Sequence, residues 1–126
     1  MVKDDAKSRM RERKTVADRQ PIAFARAFAR NAPLEPGQRS ATLFRHGTMR
    51  LLYYAPRGND PQTPHKQDEV YVVASGNGTF VCDGRRAPFV TGDVLFAPAH
   101  AEHRFENFSD DFGVWVIFYG PEGGET

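Results

Sequence analysis

Thr63 to Gly78 reads TPHKQDEVYVVASGNG, and its pattern decides the fold. His65 and Glu69 stand four residues apart, just ahead of a β-branched and aromatic run. Along an extended chain, residues an even number apart share a side. His65, Glu69, Tyr71 and Val73 therefore line one face, joined by Gln67 if the chain before Glu69 is extended. Val70, Val72 and Ala74 line the other. Both faces stay apolar beyond Glu69, as they would on a strand between a barrel interior and an outer packing layer. The closing Ser-Gly-Asn-Gly gives the backbone freedom a tight turn needs.

A second stretch, Gly92 to Phe105, reads GDVLFAPAHAEHRF and places His103 and Phe105 on one face. If that face meets the first, His65, Glu69 and His103 form two imidazoles and a carboxylate around a common point. Non-haem Fe(II) sites use this donor set, and zinc accepts it too. Mixed nitrogen and carboxylate donors favour one divalent transition metal, Fe, Mn, Zn or Ni, over calcium.

Working outward, short apolar runs alternate with turn formers. Ser40–Ala55 suggests two strands with a bend or bulge at Gly47, and 55–63 a loop. Strands are expected at 68–74, 79–82, 85–90, 94–96, 103–106 and 112–118, separated by Gly, Pro, Asn and Asp. Short strands with closely spaced turns predict an all-β fold, an antiparallel sandwich or barrel whose closure removes exposed edges.

Upstream, PIAFARAFARNA (21–32) has the spacing of one helical face at Phe24, Ala25, Phe28, Ala29 and Ala32. Pro33 and Pro36-Gly37 end it, so 21–39 is a short helix and linker. Residues 1–20 carry seven Lys or Arg against four Asp or Glu and read as a flexible charged extension. Residues 121–126 read as a fraying tail.

The 126 residues suit one domain, and 40% apolar content supports a core. A net charge of +1, with no aromatics interleaved in the basic arm, makes nucleic acid binding unexpected. Cys82 is the single cysteine, which rules out an internal disulfide framework and fits a reducing, cytoplasmic location. No apolar run reaches the roughly 18 residues of a membrane span, and no signal peptide is evident.

These residues resemble the two motifs of a small single-domain cupin, over roughly 40–120. The second, G(X)5PXG(X)2H(X)3N, falls on Gly92, Pro98, His103 and Asn107 with every spacing kept, and His100 replaces its central glycine. The first, G(X)5HXH(X)3,4E(X)6G, is kept at His65, Glu69 and Gly76. Thr63 stands where the first histidine belongs, and Gly58 is one residue away from the leading glycine's place. The resemblance implies a double-stranded β-helix, or jelly-roll barrel, holding one metal on His65, Glu69 and His103. Gln62, Gln67, His100 or water would fill the position left by Thr63.

It further implies a small-molecule ligand in the barrel, a homodimer, and a metal-dependent dioxygenase or isomerase. A non-catalytic binding or regulatory cupin is the alternative. Tyr53, Tyr54 and Tyr71 are expected to pack or to line the cavity, with Phe118 near it, and Arg104 to point outward.

Overall fold

The computed structural model describes residues 23–126. The charged extension expected at 1–20, and the first residues of the expected helix, lie outside them. The helix is shorter than its apolar spacing predicts. Among the described residues only Arg26–Ala29 (α1) is helical, with no side-chain cap at its start. Ala29 is buried, but Phe28 is exposed, so the expected apolar face is only partly used. One turn fixes several dihedrals for few hydrogen bonds and is not self-sustaining. The bond from Arg26 Nη2 to Ser75 Oγ (3.0 Å) ties α1 to the strands.

Eight strands follow: β1 (Ser40–His46), β2 (Met49–Tyr54), β3 (Asp68–Ser75), β4 (Gly78–Cys82), β5 (Arg85–Phe89), β6 (Val94–Ala97), β7 (His103–Glu106) and β8 (Gly113–Tyr119). They form a five-stranded sheet ordered β1-β2-β8-β3-β6 and a three-stranded sheet ordered β5-β4-β7. Every pairing is antiparallel. Apart from the helix, the expected strands match these within a residue or two.

Only β1–β2 and β4–β5 are hairpins. The second turns on Asp83 (φ 49°) and Gly84 (φ 81°), both left-handed as a two-residue hairpin loop requires. The SGNG turn is different. It does not fold β4 back on β3 but carries the chain from one sheet to the other. A Cβ on Gly76 would lie 2.6 Å from the Phe112 backbone, so this corner passes too close to the β8 approach for any side chain. Gly76 also has φ +88°, which L side chains rarely adopt.

The core fills the space between the sheets. Tyr71 and Val73 of β3 and Val114, Val116 and Phe118 of β8 face Phe80, Phe89 and Phe105 of the smaller sheet. Phe105 meets Tyr71 edge-on at 4.9 Å and Phe112 at 4.8 Å. On the outer side Tyr53 packs edge-on against Trp115 at 5.2 Å. Val81 lies opposite Arg86 and Arg104, which both reach Glu106 at 2.5 Å. Their aliphatic stems explain how an outward valine is buried. Arg104 itself points outward as expected.

The tail does not fray. Gly123 N–H donates to Lys66 O (2.7 Å) and Glu125 N–H to Asp68 Oδ2 (2.9 Å). Ala99 N–H fills Asp68 Oδ1, and the Glu125 and Ala99 amides hold this carboxyl below the usual range. Glycine-rich composition signals a turn but cannot reveal that a buried aspartate waits for its amides.

Two outcomes follow. Gly76→Ala should lower unfolding free energy by about 2–3 kcal/mol in denaturant titrations, since strain and clash coincide. Asp68 has a depressed pKa, so its contribution is present above the unfolded-state value and is lost as pH falls through the folded one. Wild type should therefore lose more melting temperature than Asp68→Asn between neutral pH and pH about 3.

Candidate metal centre

Glu69 enters from β3 and His103 from β7, so each sheet supplies one side chain. Both are buried, at 2% and 4% exposure. Glu69 Oε1 and His103 Nε2 are 2.9 Å apart. They nevertheless lack the alignment of a hydrogen bond, and each is an otherwise unpartnered buried atom. Direction as well as distance makes such a bond.

The other imidazole nitrogen sets the tautomer. His103 Nδ1 is 2.9 Å from Ala101 O, a group that can only accept. Nδ1 therefore carries the proton, a tautomer assigned from the hydrogen bond. In the neutral ring Nε2 then carries a lone pair and no proton, 2.9 Å from a carboxylate oxygen. Two buried acceptors thus lie close together, and a cation bound by both would relieve the conflict. In metal sites a ligating imidazole is commonly oriented by a hydrogen bond from its other nitrogen.

His65 reaches the same place from the loop before β3. Its ring is 5.2 Å from that of His103 and edge-on to Phe118 at 4.9 Å. The ligand atoms of His65, Glu69 and His103 all lie within 4.8 Å of one another. The donor set and the orphaned atoms fit a divalent cation, and the cluster can coordinate one.

His100, which replaces the motif glycine, has φ +69°. Its backbone N–H donates to His65 O at 2.6 Å while its side chain is exposed. It positions His65 through the backbone and supplies no ligand. Gln67 is also occupied elsewhere, donating to Thr48 O and Gly120 O and accepting from Arg50. Thr63 lines the cavity but does not join the cluster. Gln62 stays close, with Oε1 3.4 Å from His65 Nε2 and accepting from Tyr71 O–H at 3.1 Å. His46 ends β1, stacked beside Phe44 and exposed.

Asp60 is the residue that sequence reasoning passes over. After Gly58-Asn59 it reads as one more turn former, yet it is 8% exposed. Its carboxylate accepts from Tyr54 O–H, from Gln62 Nε2 (2.6 Å) and from Phe105 N–H (2.8 Å). One side chain thus ties the loop to both sheets and fixes the amide that faces His65. Nothing in local spacing signals this, because every partner except Gln62 is brought by tertiary folding.

The cluster opens into a cavity of about 200 Å³. Tyr54, Tyr71, Val116 and Phe118 make its apolar wall, with Arg39 and Thr63 among its polar lining. That is small for a ligand pocket and suits a compact molecule.

Burial pushes the His65 pKa down, against the pull of Glu69. Burial also opposes charge on His103, but the Glu69 carboxylate and the Ala101 carbonyl outweigh it and raise its pKa. Burial and the Glu69 charge push the Tyr71 hydroxyl well up, so it stays a proton donor at neutral pH.

In metal-free protein, proton NMR should show His103 titrating above, and His65 below, the ordinary imidazole value of about 6.5. The His103 contribution to stability is full below that value and lost as pH rises through the folded pKa. The His65 effect runs oppositely, lost as pH falls. Asp60→Ala strands the Tyr54 hydroxyl and the Phe105 amide. It should cost about 3 kcal/mol in denaturant unfolding. Metal affinity should fall by about 10–100-fold in competition with a chelator dye.

The family described as "Cupin domain" matches residues 50–119. An uncharacterized protein of Streptomyces coelicolor is 40% identical over 72 residues, 56% of this chain and 69% of that one. A Cupin 2 conserved barrel domain protein from Salinispora arenicola shares the fold with TM-score 0.60 and 21% identity, covering 80% of this chain and 89% of that one. A Photorhabdus luminescens protein matches over 57% of this chain and 61% of its own, with 20% identity and TM-score 0.48. With the family pattern matched over more than half of its length, the chain belongs to the cupin family.

Proposed function

We propose that this cupin holds one divalent transition metal (Fe, Mn, Zn or Ni) on His65, Glu69 and His103 and acts on a small organic molecule in the adjoining cavity. The observation that carries the reading is the buried meeting of Glu69 Oε1 and His103 Nε2, 2.9 Å apart without a hydrogen bond between them. A metal there would supply Lewis acidity or a place for O2, the chemistry of an isomerase or a dioxygenase. Glu69 is then a ligand, not a free base. Tyr71 spends its O–H on Gln62 Oε1 and so orients that amide beside His65, and the aromatic lining limits water.

In the same reading, residues 40–120 are the functional domain and the two sheets are the halves of a jelly-roll barrel. The exposed Val94 and Phe96 on edge strand β6 suit a homodimer. The lone Cys82 suits the cytoplasm, and no helix among the described residues is long and apolar enough to cross a membrane. Thr63 in a motif histidine's place favours a second reading, a cupin that binds its small molecule without turning it over.

Elemental analysis of protein purified without chelator should find about one metal per chain, with most of it lost in Glu69→Gln and His103→Ala. Negligible metal in wild type under metal-replete growth overturns the proposal. Oxygen uptake by Fe(II)-loaded protein across a panel of small acids, thiols and diketones separates the two readings.

A further inference from the structure

The face that carries Glu69 also carries two arginines, Arg45 and Arg50; Arg50 Nη2 donates to Gln67 Oε1 at 3.3 Å. Cross-strand partners run in one row across the five-stranded sheet: Arg45 opposite Arg50, Arg50 opposite Phe118, and Phe118 opposite Glu69. Residues in register share a face, so both guanidiniums stand on the side of the candidate metal centre. Arg50 lies over the Phe118 ring at 4.5 Å, and Phe118 lines the cavity. At about 4.8 Å per strand, Arg50 and Arg45 start about 10 and 14 Å from Glu69 along the row.

Arg45 owes this position to a bulge. Register shifts between Thr42 and Phe44, leaving Leu43 as the extra residue. Had the register run on unbroken from Thr42 and Leu52, Leu43 would oppose Leu51 and Arg45 would oppose Met49 on the outer face, because a one-residue slip reverses every side chain. Bulges re-aim side chains beside functional sites. Here the bulge sets two like charges directly opposite, an arrangement that costs stability. Neither arginine forms an ion pair among the described residues.

A groove of about 540 Å³ contains both arginines and shares Gln38 and Ser40 with the metal-centre cavity. Glu35 also lines it without closing a salt bridge to either. Ser40 and Thr42, the inward residues of β1 before the bulge, add hydroxyls between the two spaces.

We infer that Arg45 and Arg50 form an anion subsite for the molecule that binds at the metal centre, making it a two-headed organic anion with a metal-binding end and a distal carboxylate or phosphate. This rests on the metal reading above. Two guanidiniums side by side offer the paired N–H groups that such oxyanions accept.

The test uses zinc-loaded full-length protein, with zinc content measured first, and calorimetric titration with dicarboxylates from malonate to pimelate. Monocarboxylates of equal chain length are the reference, and 3-phosphonopropionate distinguishes phosphate-type from carboxylate ends. At least one two-headed anion should bind about tenfold tighter than its one-headed counterpart. Arg45→Gln, an exposed change that leaves the core alone, should cut that preference by at least about threefold, and Arg45→Gln/Arg50→Gln should abolish it. Zinc content and melting temperature should stay near wild type in Arg45→Gln. Normal zinc with no preference at any length, or a preference surviving the double variant, overturns the subsite alone. Failure of wild type to hold zinc, iron, manganese or nickel overturns the metal reading and the subsite with it.

Discussion

The arrangement turns on one buried contact, the meeting of Glu69 and His103 across the sheets. Both groups sit among Tyr71, Phe80, Phe105 and Phe118, where an unpaired charge or lone pair is costly. The Ala101 carbonyl fixes the His103 tautomer, which leaves Nε2 as a second acceptor beside the carboxylate. A proton resolves the conflict in metal-free protein, at the expense of a charged imidazole. A cation resolves it with both side chains in their deprotonated states. The fold thus carries a cost at its centre that a bound cation would offset.

Everything around that contact holds it in place. Asp60 joins β2, β7 and the Gln62 loop, and Gln62 in turn touches Tyr71 and His65. His100 fixes His65 by its backbone amide. The last strand, β8, lies between β2 and β3, so the sheet that presents Glu69 is completed only when the chain's end is in place. Asp68 then clamps that end beside the site. The β1 bulge is an opposite case, a local irregularity that loads charge onto the same face at a cost in sheet stability.

Strand positions, turns and the three cluster residues were legible because they follow local rules. Two-residue alternation put Glu69 with Tyr71 and Val73, and His103 with Phe105, on single faces. Turn residues marked nearly every strand end. The motif positions also have local physical reasons. Gly92 and Asn107 take positive φ, as does His100 in the glycine's place. Other features escaped local reading. The helix spacing at 24–32 overstated α1 because one turn depends on what it packs against. The SGNG turn resembled a hairpin, since composition reports tightness and not destination. The tail's glycines suggested fraying because Asp68 lies far away in sequence.

By itself, then, the sequence determined an antiparallel all-β chain, the cupin motif positions, and His65, Glu69 and His103 as a possible ligand set. Periodicity and backbone conformation depend on near neighbours, so they can be read along the chain. Only the tertiary structure decided that β3 and β4 belong to different sheets and that Gln67 and His100 stand aside. It alone revealed Asp60 at the centre of the hydrogen-bond network and Arg45 on the side of Glu69. Those outcomes depend on register, sheet crossing and burial among residues tens of positions apart, which no local pattern encodes.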